Sequence, residues 1–148
     1  MATRNPALDA TLAAIEMAQD IEKVSKFSED RCGISLKIGI SINTGDAIVG
    51  NIGFEKKMDY TAIGDVVNDT FRLQEHTREK PDSILVGSAT YQKIHPFVEA
   101  RSLGIRELGT DGGRMEVYEV TGKKEMSDIE YLMHQTKFKD ASRADHQN

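Results

Sequence analysis

The sequence predicts an α+β domain with a largely antiparallel sheet and packed helices, and three observations carry that expectation. Near the N-terminus, apolar residues recur every three or four positions, as they do in an amphipathic helix. Between Ile34 and Ile42, five apolar residues alternate strictly with Ser35, Lys37, Gly39, Ser41 and Asn43, the period of a strand with one buried face. The segments then follow the order helix, hairpin, helix, strand, helix, strand, strand, which suits a mixed rather than an alternating βα architecture.

Asn5-Pro6 is a helix opening, a capping residue followed by proline at the first helical position. Leu8, Leu12, Ile15, Ala18, Ile21, Val24 and Phe27 form the apolar stripe of a helix over Ala7–Phe27, and the Ser28–Gly33 stretch ends it. The strand at Ile34–Ile42 is expected to turn at Asn43-Thr44-Gly45-Asp46 and return as a hairpin through Ala47–Ile52. Phe54–Asp59 reads as a charged tip and Tyr60–Ile63 as a short extended piece. Asp65 is the expected N-cap of a helix from Val66 to about Lys80, stopped by Pro81. Ser83–Val86 reads as a buried strand, Ser88–Ile94 as a short helix, and Phe97–Leu103 and Met115–Val120 as two strands joined by a glycine-rich turn at Gly109–Gly113. From Lys123 the character changes: Ser127 and Glu130 fit a capping box for a helix around Asp128–Phe138, followed by a polar tail. The expected division is residues 1–122 as the domain and 123–148 as a C-terminal helix and tail.

The 148 residues suit one domain with its own core. A net charge of −5 without a clustered basic face argues against nucleic-acid binding, and no apolar run reaches the length of a membrane span. Cys32 is alone, so no intrachain disulfide forms and a reducing, intracellular setting is expected. The four histidines are scattered without metal-ligand spacing.

On the helix after Gly64, Val66, Val67, Thr70, Phe71 and Leu73 share one broad face, while Asn68 and Arg72 lie together on the opposite side, four positions apart. An amide beside a guanidinium, both aimed away from the core, can orient and neutralise a phosphate. Taken alone the pair also fits an ordinary solvated helix face.

The surrounding residues narrow the choice. Gly39, Ile40, Thr44-Gly45, Gly50, Ile52-Gly53, Tyr60-Thr61, Gly64, Val67-Asn68 and Arg72-Leu73 form an ordered string that closely resembles the class III adenylate/guanylate cyclase catalytic domain. The SILVGSATYQKI and MEVYEV segments look like that family's closing elements, so the resemblance covers roughly Ala7–Val120. It implies a ferredoxin-like cyclase fold and a reaction in which the ribose 3′-hydroxyl attacks the α-phosphorus and pyrophosphate leaves. It implies that Asn68 and Arg72 are catalytic, binding the ribose and stabilising the transferring phosphate. It further implies that Thr61 and Gly64 bind substrate, with Thr61 at the position that helps read the purine. The expected substrate is ATP rather than GTP, in a site shared across a head-to-tail homodimer.

The departures from the family pattern are equally specific. Its two metal-binding aspartates and its purine-contacting lysine lie upstream of a helix like Ala7–Phe27, so this span is expected to be truncated on its N-terminal side and to hold no metal ligand. Mg²⁺ or Mn²⁺ would belong to the intact domain. Asp46, Asp59 and Asp65 sit at turn positions that favour aspartate for local hydrogen bonds. The family's late phosphate-contacting lysine has no clear counterpart, since Leu108-Gly109-Thr110 stands there with Arg106 and Arg114 nearby. Thr70 replaces the usual small alanine and Asp69 adds a negative charge beside Asn68. The span is therefore expected to be inactive alone. The competing expectation is a degenerate cyclase-like module for dimerisation or regulation. Exposed strand edges favour association with a second copy, and a nucleoside triphosphate substrate implies a cytoplasmic location, as a free domain or as the intracellular part of a membrane-attached protein.

Overall fold

Asn5 opens the first helix as expected, its side chain accepting from the Leu8 backbone N–H at 3.1 Å. In a computed structural model of the chain, which describes residues 5–54, 57–109, 113–127, 130, 131 and 133, this helix is α1 (Pro6–Cys32). It runs one further turn beyond Phe27 because nothing before Gly33 breaks it. Gly33, at φ 67°, closes it with a hydrogen bond to the Glu29 carbonyl.

Beyond α1 the described elements are β1 (Ile40–Ile42), β2 (Ile48–Phe54), β3 (Lys57–Ile63), α2 (Asp65–His76), β4 (Ile84–Gly87), α3 (Ser88–Ile94), β5 (Val98–Leu108) and β6 (Gly113–Lys123). Four strands form one sheet in the order β1-β4-β6-β5, with β1 and β4 parallel and the other two pairs antiparallel. The antiparallel character and the packed helices agree with the fold class read from the sequence.

Two strand expectations need correction. The strand predicted over Ile34–Ile42 is confined to Ile40–Ile42, and Ile34 and Leu36 are exposed. Alternation alone cannot supply ladder partners. The Leu36 N–H is taken by Ser25 Oγ at 2.8 Å and the Ile38 N–H by Asp82 Oδ1 at 3.1 Å, so these amides are satisfied by side chains. The hairpin predicted across Asn43–Asp46 does not form either. Ile40–Ile42 pairs with Ile84–Val86 instead, and β2 pairs with β3 in a separate two-stranded ribbon, from Ile48 opposite Ile63 to Phe54 opposite Lys57.

Residues of β4 show why the sheet is covered on both faces. Ile84 and Val86 pack with Leu8 and Ile15 of α1, Ile94 of α3, and with Phe97, Val98 and Val120. Leu85 points the other way, into a smaller cluster with Leu73 of α2 and Val117 of β6. Strands buried on both faces read as continuous apolar runs, as Ile84-Leu85-Val86 does.

Helix α2 starts and stops differently from the expectation. Gly64 rather than Asp65 occupies the N-cap, and the helix ends at His76, with Thr77 Oγ1 donating to the Gln74 carbonyl at 2.8 Å in the turn that follows. Phe71, expected on the core face, is 69% exposed, while Leu73 is fully buried and Val66, Val67 and Thr70 are half-buried. The true apolar stripe is narrower than the wheel suggested, because Leu73 alone among the residues of α2 is fully buried, with Val66, Val67 and Thr70 at its margin.

Strands β5 and β6 extend further than predicted as one long antiparallel pair. At their far end the capping box forms, with Ser127 N donating to Glu130 Oε2 at 2.9 Å and Glu130 N to Ser127 Oγ at 3.3 Å. Most of the helix expected at Asp128–Phe138, and the polar tail after it, lie outside the described residues.

One buried carboxylate was not foreseen. Glu119 of β6 is 7% exposed and accepts from both Lys80 Nζ and Arg101 Nε at 2.5 Å. Burial pushes its pKa up, but the two cations together outweigh that and hold it below its usual value. A depressed carboxylate pKa contributes stability that is complete above the unfolded pKa and is lost as pH falls through the lower folded value. Glu119→Gln is therefore expected to lower stability by about 1–3 kcal/mol at neutral pH. Thermal melts of the two proteins should converge as pH drops from about 4.5 downward; a gap independent of pH would contradict the charged pairing.

Candidate functional site

Gly39, Gly45 and Gly64 allow close approaches at the two ends of α2. A Cβ added at Gly45 would stand 2.9 Å from Val66, and one at Gly64 would stand 3.0 Å from the Asp46 carbonyl oxygen. These positions let the turn after β1 press against the start of α2. The Gly64 carbonyl then accepts from Val67 N at 3.0 Å and Asn68 N at 3.3 Å, which launches the helix directly from β3.

Hydrogen bonds to the first sheet strand fix the helix laterally. Ser41 Oγ donates to the Thr70 carbonyl at 3.2 Å and Gln74 Nε2 to the Gly39 carbonyl at 2.8 Å. Thr70 Oγ1 turns back to the Val66 carbonyl at 2.6 Å, so this hydroxyl is satisfied within the helix.

With α2 held in this way, Asn68 is exposed on its first turns and Arg72 follows one turn later on the same side. Arg72 Nη1 lies 3.8 Å from Asp69 Oδ1, both side chains about one third exposed. The remainder of the Arg72 side chain lies against the end of β5. A Cβ on Gly109 would stand 3.0 Å from Arg72 Nε and 3.3 Å from its Cζ. One turn further, His76 Nε2 donates to the Glu107 carbonyl at 3.1 Å. The outward strip of α2 is thus laid along the end of β5.

The other residues singled out from the sequence sit close by in the chain. Thr61 is exposed on β3 opposite Gly50. Gly64 joins that strand to α2. Asp46, Asp65 and Asp69 line an open cleft of about 380 Å³ together with Asn43, Ser88 and the apolar Val66 and Met115, at the start of α2 and α3. Among the described residues no three His, Cys, Asp or Glu side chains are grouped to hold a metal ion. Asp69, one of the cleft carboxylates, faces a guanidinium instead. Arg114 pairs with Glu107 at 3.6 Å across the β5–β6 ribbon.

Sequence reasoning found the Asn68–Arg72 pair through helical spacing, and it missed Gly109 and Glu107. Their turn was read only as a connector. No local pattern links residues so far apart, although two adjoining glycines and the unmatched Leu108-Gly109-Thr110 marked the place as unusual.

Comparison with known proteins follows the same outline. The family of adenylate and guanylate cyclase catalytic domains matches residues 2–134. Adenylate cyclase 1 of Rhizobium meliloti is 33% identical over 81 residues, covering 55% of this chain and 12% of that protein. The crystal structure of the adenylyl cyclase CyaB from P. aeruginosa superposes with a TM-score of 0.74 at 25% identity, covering 84% of this chain and 63% of that one. That of the guanylyl cyclase Cya2 gives 0.71 at 27% identity, covering 86% and 64%. The chain therefore spans a small part of its curated relative and under two thirds of these solved chains.

Proposed function

This chain belongs to the family of adenylate and guanylate cyclase catalytic domains, and we propose that it supplies the ribose- and phosphate-facing half of a nucleotide cyclase site that acts on ATP. The observation that carries this reading is the Asn68–Arg72 pair on α2, the asparagine exposed and the guanidinium half-buried against Gly109 at the end of β5. In the reaction the ribose 3′-oxygen bonds to the α-phosphorus. The bond from that phosphorus to the bridging oxygen of the β-phosphate breaks, and pyrophosphate leaves.

Little covalent work falls to the protein in phosphoryl transfer; positioning and charge stabilisation dominate. Arg72 carries a planar, permanently charged fork that can hold two phosphate oxygens as charge shifts onto them. The Asn68 amide, one turn nearer the helix start, is suited to bind and orient the ribose. Thr61 offers a hydroxyl to the purine from β3, and Gly64 permits close backbone approach. Divalent-ion chemistry is part of this reaction class, and the described residues do not fit a metal site, so no step is assigned to an ion held by this chain.

A homodimer completes the proposal. The β2–β3 ribbon stands apart from the main sheet and exposes Ile48, Val49, Ile52, Tyr60 and Ile63, an apolar surface suited to burial in a second copy. A triphosphate substrate implies a cytoplasmic setting. Among the described residues no helix is long and apolar enough to cross a membrane.

A second reading, a cyclase-like module that pairs chains without catalysis, draws on Asp69. Its carboxylate competes with phosphate for Arg72. The two readings differ in nucleotide binding. Under the first, the purified chain binds ATP more tightly than GTP yet makes no cyclic AMP with Mn²⁺. Robust product from the chain alone would overturn the assignment of the metal to other residues, and absence of ATP binding would favour the module.

A further inference from the structure

We propose that Gly109, at the end of β5, is a positioning residue for Arg72, and this rests on the reading of Arg72 as the phosphate-binding group. Three observations converge on it. Gly109 adopts φ 73°, a conformation that side chains other than glycine rarely take. The space where its Cβ would stand is filled by Arg72, whose Nε, Cδ and Cζ would lie 3.0, 3.3 and 3.3 Å away. The neighbouring turn of α2 is clipped to the same strand end by His76 Nε2 donating to the Glu107 carbonyl.

Gly109, just past the end of β5, thus forms a shelf for the guanidinium. On one side Asp69 pairs with Nη1, and beneath it the bare backbone of Gly109 lets the Nε edge lie flush. A long side chain on an exposed helix face otherwise samples many rotamers, and fixing one of them is what a fork aimed at phosphate needs. Glycine here has a reason beyond turn formation. A Cβ here would press on Nε, Cδ and Cζ together, so the side chain would have to give way at all three atoms.

A control exists within β5, five residues earlier. Gly104 has φ 77°, yet nothing lies within 4 Å of where its Cβ would be. Gly104→Ala and Gly109→Ala both place a side chain at a similar positive φ, and only the second pushes Arg72. The expected results are an Arg72 Nε–H resonance that shifts in Gly109→Ala and not in Gly104→Ala, and ATP binding weakened about tenfold or more in the first variant against less than about twofold in the second. In an Arg72→Ala background, Gly109→Ala should have no further effect on ATP binding.

If either alanine variant fails to fold, the unmutated chain decides the matter. A nuclear Overhauser contact between the Gly109 α-protons and the Arg72 side chain supports the proposal, and its absence overturns it. Equal resonance shifts in both variants also overturn it. A contact and a selective shift accompanied by ATP binding indifferent to Arg72→Ala leave the shelf standing and sink the phosphate role of Arg72 instead, so the two failures are distinguishable.

Discussion

Arg72→Ala is expected to lower cyclase turnover by about 10²- to 10³-fold in an assembly where a metal-binding half completes the site. The melting temperature should move by no more than about 3 °C. The asymmetry follows from what the side chain does in the fold. Its ion pair with Asp69 spans 3.8 Å between groups about one third exposed, a geometry worth little in water. Its contact with Gly109 constrains the arginine and leaves the core untouched, since the buried residues of α2's packing cluster are Leu73, Leu85 and Val117. Against a triphosphate, in the role proposed for it, the guanidinium would offer two parallel charge-assisted hydrogen bonds where negative charge builds. Arg72→Lys keeps the charge and loses the fork, so its turnover should fall between the two. For the isolated chain the corresponding measurement is ATP affinity by calorimetry. Unchanged affinity in Arg72→Ala would remove this residue from the site.

The elements that were legible in the sequence are those whose signal is local. The apolar stripe of α1, its Asn5-Pro6 opening and the Ser127–Glu130 box are all written within a few residues of where they act. The Ile84-Leu85-Val86 run marked a buried strand, and the structure covers it on both faces. What failed was pairing. Alternation from Ile34 to Ile42 described side-chain direction correctly for Ile40 and Ile42, but ladder partners come from β4, far along the chain, and Ser25 and Asp82 capture the preceding amides. The same limit applies to the site. Asn68 and Arg72 are neighbours by helical geometry and were found, whereas the floor under Arg72 comes from Gly109 and could be seen only once β5 was laid beside α2. Glu119 escaped for a related reason, because a carboxylate in an exposed-looking MEVYEV segment gives no hint that Lys80 and Arg101 will enclose it.

Leu73→Ala should cost about 2–5 kcal/mol, while Phe71→Ala, two positions away on the same helix, should change stability by no more than about 0.5 kcal/mol. A helical wheel groups the two residues and the fold separates them. Leu73 has no exposed surface and joins Leu85 and Val117, with Leu103 and Met115 packed around them, so removing its isobutyl group leaves a void that the two-strand floor of β4 and β6 cannot readily fill. Phe71 lies beside Val67 and Gln74 at the rim of an open apolar depression of about 400 Å³, mostly in solvent. Because Leu73 is the only fully buried side chain among the residues of α2, it is also the anchor that sets the height of Asn68 and Arg72 above the sheet. Its loss should therefore weaken ATP binding even at temperatures where the variant remains folded, and Leu73→Met, which keeps most of the volume, should restore both properties. Denaturant unfolding of the three variants, followed alongside ATP titration, tests the chain of cause from a buried leucine to an exposed arginine. If Phe71→Ala proves as damaging as Leu73→Ala, α2 does not rest on the sheet through Leu73, and the proposed link from that leucine to Arg72 fails.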